Sequence, residues 1–301
     1  MPVAKRITRQ VIERMTTGFK AIFQNAFTAA DPKWSMIAEK VNSNTSIETY
    51  AWLAQIPGMK KWIDERRIKR LEVEAYTLKN DKFEDTIAVQ REAIEDDQLG
   101  TYSMAIKGMA TAAAEHPEEL VFDALKEGFN VTCFDGQNFF DTDHPVMVDG
   151  EEVSVSNMQA GAGPTWYLLC TVKAVKPIIY QERIAAELET KDDASNSDHV
   201  FLKDEYLYGV RSRGAAGYTF WQLAFASKAP LTAANFKAAR QAMASLKGDQ
   251  GRPLNIVPNL LVIPPELETE AEEILKVKRT DGGKDNPHYG KAEILMTPWL
   301  S

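Results

Sequence analysis

The stretch "CFDGQNFFDTDHPV", residues 133–146, places Asp141, Asp143 and His144 within four positions of one another behind a run of aromatics. Two carboxylates and an imidazole this close could ligate a water-activating metal or divide the acid and base work of a hydrolase. A protein-held metal usually takes three or four ligands. The other histidines stand elsewhere: His116 before a proline, His199 in an acidic run, His288 in a glycine-rich run. The competing reading is a tight turn. Asp141, Asp143 and His144 would then hold backbone amides, Pro145 would fix the exit, and Phe134, Phe139 and Phe140 would pack inward. That architectural reading is the expectation, with no catalytic residue, metal or cofactor assigned.

Other signatures of chemistry are missing. "GDQGRP" and "DGGKDN" have the glycines of a phosphate loop without its lysine and hydroxyl, and "GAGPTW" lacks the dinucleotide spacing. There is no GxSxG, no HExxH and no paired zinc spacing. Arg211 and Arg213 in "GVRSRGAAG" could clamp an anion, meet a second subunit or pair with nearby acids.

The elements that must position these residues read as α+β. From Ile7, the residues Val11, Met15, Phe19, Ile22 and Phe23 share a helical face up to Ala30, and the segment is basic. It could dock on its own body or reach a partner. Residues 46–70 hold Trp52, Trp62 and a Pro57-Gly58 turn signal, then Lys60, Lys61, Arg66, Arg67, Lys69 and Arg70 against Asp64 and Glu65. Neither helical nor strand period holds there, so the segment reads as an excursion whose aromatics and bases suit an interface. Residues 71–90 alternate on both sides of Asn80-Asp81, as a β-hairpin would. The charge then flips, with Glu84, Asp85, Glu92, Glu95, Asp96 and Asp97 against Arg91 alone. Capping of the following helix is the plain explanation for the last of these.

That helix is expected to stop at His116-Pro117, with a second running from Pro117 to Gly128. "TWYLLCTVKAVKPIIYQ" suits strands, and residues 182–205, with eight acids against three bases, read as a solvated connection. Residues 206–227 read as a glycine-rich bend and a buried strand. A helix capped by Thr232 and stopped by Gly248 follows, then a strand, a Pro-Pro break, a helix with an acidic first turn, and a last strand in "KAEILMTPWLS".

Composition sets limits on partners. A chain of 301 residues, 44% hydrophobic, can bury a substantial core. A net charge of −8 and a pI near 5.2 argue against a surface that grips nucleic acid. Cys133 and Cys170 read as reduced thiols. No apolar run reaches the roughly 18 residues of a membrane span.

Taken in order, "VNSNTSIETYAWLAQIPGMKKWI", "CFDGQNFFDTDHPV", "YLLCTVKAVKPIIYQER", "YLYGVRSRGAAGYTFWQLA" and "NLLVIPPELETEAEEIL" resemble the major head subunit of Mu-like phages and prophages, over nearly the whole chain. The resemblance implies the tailed-phage capsid fold of the Hong Kong 97 type. It divides the chain into an N-terminal arm over 1–45, an extended loop over 46–84, a peripheral domain with a long spine helix over 85–229 and an axial domain over 230–301. It also implies a major capsid protein that self-assembles into hexamers and pentamers of an icosahedral head, in the host cytoplasm. The head encloses double-stranded DNA without reading its sequence. Scaffolding, portal and decoration proteins are the implied partners, with no cofactor and no membrane. On this plan the loop bases Lys60, Lys61, Arg66, Arg67, Lys69 and Arg70, with Trp52 and Trp62, are expected to meet Glu92, Glu95, Asp96 and Asp97 of the adjacent subunit. Two alternatives stay open at this point: a cellular shell that encloses cargo enzymes, and a metal-dependent hydrolase centred on Asp141, Asp143 and His144.

Overall fold

The computed structural model describes residues 8–50, 76–96, 99–148, 151–193, 197–248, 252–280 and 282–301. The loop bases from Lys60 to Arg70, both Trp52 and Trp62, and Asp97 lie outside the described residues. Among them the helices are α1 (Arg9–Ala29), α2 (Arg91–Glu95), α3 (Leu99–Glu127), α4 (Asp198–Lys203), α5 (Ala233–Ala244) and α6 (Glu268–Leu275).

Two hydrophobic cores organise the chain, and α3 runs through both. In the smaller one, Ile12, Met15, Phe19, Phe23 and Ala26 of α1 pack with Ile106, Met109 and Ala110 of α3. Full burial of such side chains contributes roughly 1.5–3 kcal/mol each. The N-terminal helix is therefore docked on its own body, with Arg9, Arg14 and Lys20 turned to solvent. Farther along α3, Val121, Phe122 and Leu125 sit in the larger core.

The expected break at His116-Pro117 does not occur: α3 continues through Pro117. An interior proline loses one helical hydrogen bond and crowds the preceding turn, at a cost of about 3 kcal/mol. Anchors on both sides offset it. The His116 ring meets Phe83 edge-on at 4.2 Å, the Glu118 carboxylate accepts the Lys33 amide at 2.7 Å, and each half of the helix is seated in a core of its own.

The first sheet orders its strands β1 (Ala38–Asn42), β9 (Ile178–Lys191), β10 (Glu205–Tyr218) and β4 (Asp81–Gln90). Strand β9 corrects the reading of 182–205 as a connection, because the acidic run to Lys191 is the outer half of that strand. Its side chains there are at most half-buried, with Ala186 and Leu188 packed on the smaller core between charged neighbours, and its main chain pairs with β10. The run then turns through α4, where the Ser197 hydroxyl accepts the Val200 amide at 3.4 Å. The glycine-rich bend is likewise part of β10. A Cβ on Gly217 would lie 2.5 Å from Leu78 Cδ2 and 2.6 Å from Tyr76 Oη, so glycine lets another strand pair approach.

That pair is β2 (Ile47–Tyr50) with β3 (Tyr76–Lys79), and it corrects the expected hairpin. Strands β3 and β4 flank Asn80, yet β3 pairs with β2 while β4 pairs with β10. Alternation identified both strands but carries no information on which partner each takes. Asn80 makes the corner: buried, it donates to Ser43 Oγ and the Thr45 carbonyl at 2.9 Å each and accepts from Gln181 Nε2 at 2.8 Å.

The second large sheet has the order β13 (Glu293–Met296), β12 (Leu260–Ile263), β8 (Trp166–Leu169), β11 (Ala224–Ser227) and β7 (Met158–Gln159). Strands β8, β11 and β12 are buried throughout. The Thr232 hydroxyl caps α5 by accepting the Asn235 amide at 3.2 Å, and the acidic first turn of α6 follows the Pro-Pro break. Strands from both sides of position 230 make up this sheet, so the expected division at 229/230 runs through it. A small hairpin, β5 (His144–Val148) with β6 (Glu151–Val155), projects beside it.

Candidate functional site

Two places could carry function: the turn around residues 133–146, and the surface around the strands that flank residues 51–75. The turn leaves α3 at Gly128, where a Cβ would lie 2.6 Å from the Phe140 ring. It closes with the Cys133 amide on the Gln137 carbonyl at 2.8 Å, and Gly136 takes a φ of +85°, a conformation glycine adopts without strain. Phe139 stacks on Tyr218 at 4.3 Å and Phe140 meets Tyr167 at 5.4 Å, which fixes the turn to the larger core.

Of the three residues that attracted attention as chemistry, Asp141 and Asp143 stay together and His144 turns away. Asp141 accepts the Thr142 amide at 2.7 Å and the Asn138 amide at 3.3 Å. Burial pushes its carboxyl up, but those amides and a hydrogen bond with Asp143 hold it below the usual aspartate range. Asp143 stands in solvent, its carboxyl raised by that bond to Asp141. His144 is fully buried and turns the other way, stacked on Trp221 at 4.0 Å with an interplanar angle of 10°. Its Nδ1 faces Asp135 Oδ2 at 2.7 Å and its Nε2 faces Asn157 Oδ1 at 3.3 Å. Asp135 and Asn157 were not singled out from the sequence. The available signal was a third carboxylate, two residues after Cys133, inside the same stretch. Cys133 and Cys170 are both buried and free, and burial pushes the Cys133 thiol up.

At the other place, Tyr50 and Tyr76 are register partners at the open end of the β2–β3 pair, so the chain leaves for residue 51 and returns from residue 75 at one point. The base of this pair is locked by Glu48, which accepts from the Asn44 amide at 2.7 Å, Ser43 Oγ at 2.9 Å and the Thr45 amide at 3.1 Å. The Asn44 amide, then the Ser43 hydroxyl, hold its carboxyl below the usual glutamate range. A depressed carboxylate stabilises the fold above its ordinary value of about 4.3, and the contribution fades as pH falls through the lower folded value. The protection of the Asn44 and Thr45 amides, measured as exchange relative to the intrinsic rate at each pH, should therefore fall on acidification in the native chain. In Glu48→Gln that protection should be low already at neutral pH and insensitive to this acid step.

Beyond the first sheet, Glu92 and Glu95 of α2 and Asp96 after it are exposed. Glu92 lies in the first turn of α2, where an acid favours the helix dipole. Arg91 is drawn off to Asp204 at 2.7 Å. Arg211 is 3.9 Å from Glu189 across the sheet, which favours pairing with nearby acids.

Comparison with known proteins decides between the readings. Residues 12–300 match the family described as Mu-like prophage major head subunit gpT. The chain belongs to this family. The Mu-like head subunits most similar to it include the major capsid protein of Escherichia phage Mu, 38% identical over 98% of this chain and 99% of that one. The Mu-like prophage FluMu major head subunit of Haemophilus influenzae is 42% identical over 90% of both chains. Among solved structures, the procapsid of bacteriophage JBD30 superposes with a TM-score of 0.86 at 43% identity, covering 97% of this chain and all of that one. The JBD30 capsid gives 0.78 at 32% identity, over 99% of this chain. The fold is therefore the tailed-phage capsid fold, and the chain is a major capsid protein of a phage head, a component of the virion. For a Mu-like head subunit, the α3 helix is the long spine that the sequence resemblance implied, made longer by running through Pro117.

Proposed function

We propose that this head subunit assembles through its extended loop into hexamers and pentamers of an icosahedral shell around double-stranded DNA. The observation that carries this reading is the β2–β3 pair, from whose end a segment rich in bases and tryptophans departs and returns, while Glu92, Glu95 and Asp96 face solvent elsewhere. The loop bases Lys60, Lys61, Arg66, Arg67, Lys69 and Arg70 meet Glu92, Glu95, Asp96 and Asp97 of the adjacent subunit, and Trp52 and Trp62 anchor the contact. Each exposed ion pair contributes little, but repetition around a shell fixes register more than affinity.

In this reading residues 1–45 are the arm, 46–84 the extended loop and 85–229 the peripheral domain with its spine. The axial domain is built on 230–301 together with the strands before 230 that share its sheet. A chain with net charge −8 surrounds DNA without gripping it. Assembly takes place in the host cytoplasm with a scaffolding protein and a portal. Decoration fits as well, since the JBD30 capsid has been solved decorated with minor capsid protein trimers. The role is structural, with no reaction catalysed.

Reversing the six loop bases to glutamate should abolish shell formation at low salt, and reversing Glu92, Glu95, Asp96 and Asp97 to lysine in the same chain should restore it. Electron microscopy and sedimentation read the result. Normal shells from the loop reversal alone, at low salt, would rule the contact out.

A further inference from the structure

Cys133, Asp135 and His144 bring a sulfur, a carboxylate oxygen and a ring nitrogen within 4.8 Å of one another. Cys133 and His144 are buried, and the Asp135 side chain is 10% exposed. Both ring nitrogens of His144 face oxygen acceptors. Asn157 is fixed in orientation, because its Nδ2 donates to the Phe139 carbonyl at 2.7 Å and its Oδ1 accepts the Asp141 amide at 2.9 Å. The atom that faces His144 Nε2 is therefore an acceptor. Asp135 Oδ2, facing Nδ1, is a second oxygen acceptor, and the Cys133 thiol donates to the other oxygen of the same carboxylate at 3.0 Å. A neutral imidazole carries a single N–H and satisfies only one of them.

A neutral ring either donates its Nδ1–H to Asp135, leaving Nε2 against Asn157 Oδ1, or carries its proton on Nε2 toward Asn157, leaving the Nδ1 lone pair to join Asp135 and Cys133 on a cation. We propose the second arrangement: a structural zinc site made by Cys133 Sγ, Asp135 and His144 Nδ1, with water as the fourth ligand. Sulfur, nitrogen and oxygen donors in one tetrahedral set are the combination zinc favours over magnesium or calcium. Asn157 supplies the outer hydrogen-bond partner that orients a metal-bound histidine. A cavity of about 800 Å³, bordered by Cys133, Asp135 and Gly136, gives the ion and its water a path. Binding forms the zinc–sulfur bond as the Cys133 thiol proton leaves to solvent. Where the free ring carries its one proton on Nδ1, that proton moves to Nε2 as the lone pair takes the ion. Thiolate and carboxylate together balance the ion's charge, and the site ties the turn to the Trp221 side of the core.

The test uses the full chain, both as unassembled subunits and as assembled particles, equilibrated with Zn²⁺ alone, washed, and analysed for metal by mass spectrometry. One zinc per subunit is expected. Co²⁺ in its place should show a thiolate-to-metal charge-transfer band. Cys133→Ser and Asp135→Asn should each weaken binding by more than the roughly 10–100-fold that loss of an outer partner costs. Well under one zinc per subunit at saturation, a cobalt spectrum without the thiolate band, or wild-type affinity in the Cys133→Ser protein would overturn the proposal. The wild-type titration and its cobalt spectrum stand even if a variant fails to fold.

Discussion

Trp221→Ala is expected to lower the stability of the unassembled subunit by about 3–5 kcal/mol, a large part of the roughly 5–15 kcal/mol that a domain possesses. Trp221 is 1% exposed and lies where three structures meet. Its ring stacks on His144, its carbonyl lies 3.5 Å from Asn157 Nδ2, and it precedes β11, a central strand of the five-stranded sheet. Truncation leaves a cavity that close-packed neighbours cannot fill, and it uncovers one face of a buried imidazole. In urea the midpoint should fall with an unchanged slope. A drop of less than about 1 kcal/mol would mean the turn collapses onto the vacancy, and the role given to this ring as its anchor would be wrong.

Gly161→Ala is expected to be nearly as damaging, although it adds a single carbon. Its Cβ would lie 2.1 Å from the Lys228 carbonyl oxygen, 2.3 Å from the carbonyl carbon and 2.5 Å from the Ala229 nitrogen. All three are backbone atoms and cannot rotate away. The Gly163 amide bonds the same Lys228 oxygen at 2.9 Å, and the Lys228 amide bonds the Gln159 carbonyl at 3.0 Å. Relief must therefore pull β7 off the edge of the sheet, at a cost of roughly 3 kcal/mol. Gly108→Ala is the matched control. It sits in α3 with nothing within 4 Å of its Cβ position, and should gain about 0.5–1 kcal/mol from helix propensity. Equal effects of the two substitutions on the urea midpoint would refute the steric argument.

Much of the fold was legible in the sequence wherever a local pattern determines a local structure. The α1 stripe, the Thr232 cap of α5 and the acidic first turn of α6 each follow from spacing within a dozen residues. What was misread depends on distant partners. The strands flanking Asn80 look like a hairpin, but their partners lie at 47–50 and 205–214. The run 182–191 looks like a loop because of its five charged residues beyond Gln181, and it becomes a strand by pairing with β10 while Ala186 and Leu188 pack on the smaller core. Pro117 punctuates the sequence correctly and is overruled by two cores that grip the helix on either side.

At the turn, the sequence offered Asp141, Asp143 and His144 as neighbours because they are adjacent in the chain. Space instead unites His144 with Asp135 and Cys133, since the turn folds back on itself at Gly136. The function was legible differently, from five separated stretches in a fixed order, and no single one of them carries chemistry.

The central claim, that this chain builds a shell, is tested most directly by electron microscopy of the purified, expressed protein. Shells, tubes or rings of six are the predicted result. A monodisperse monomer under every condition of salt and concentration would contradict it.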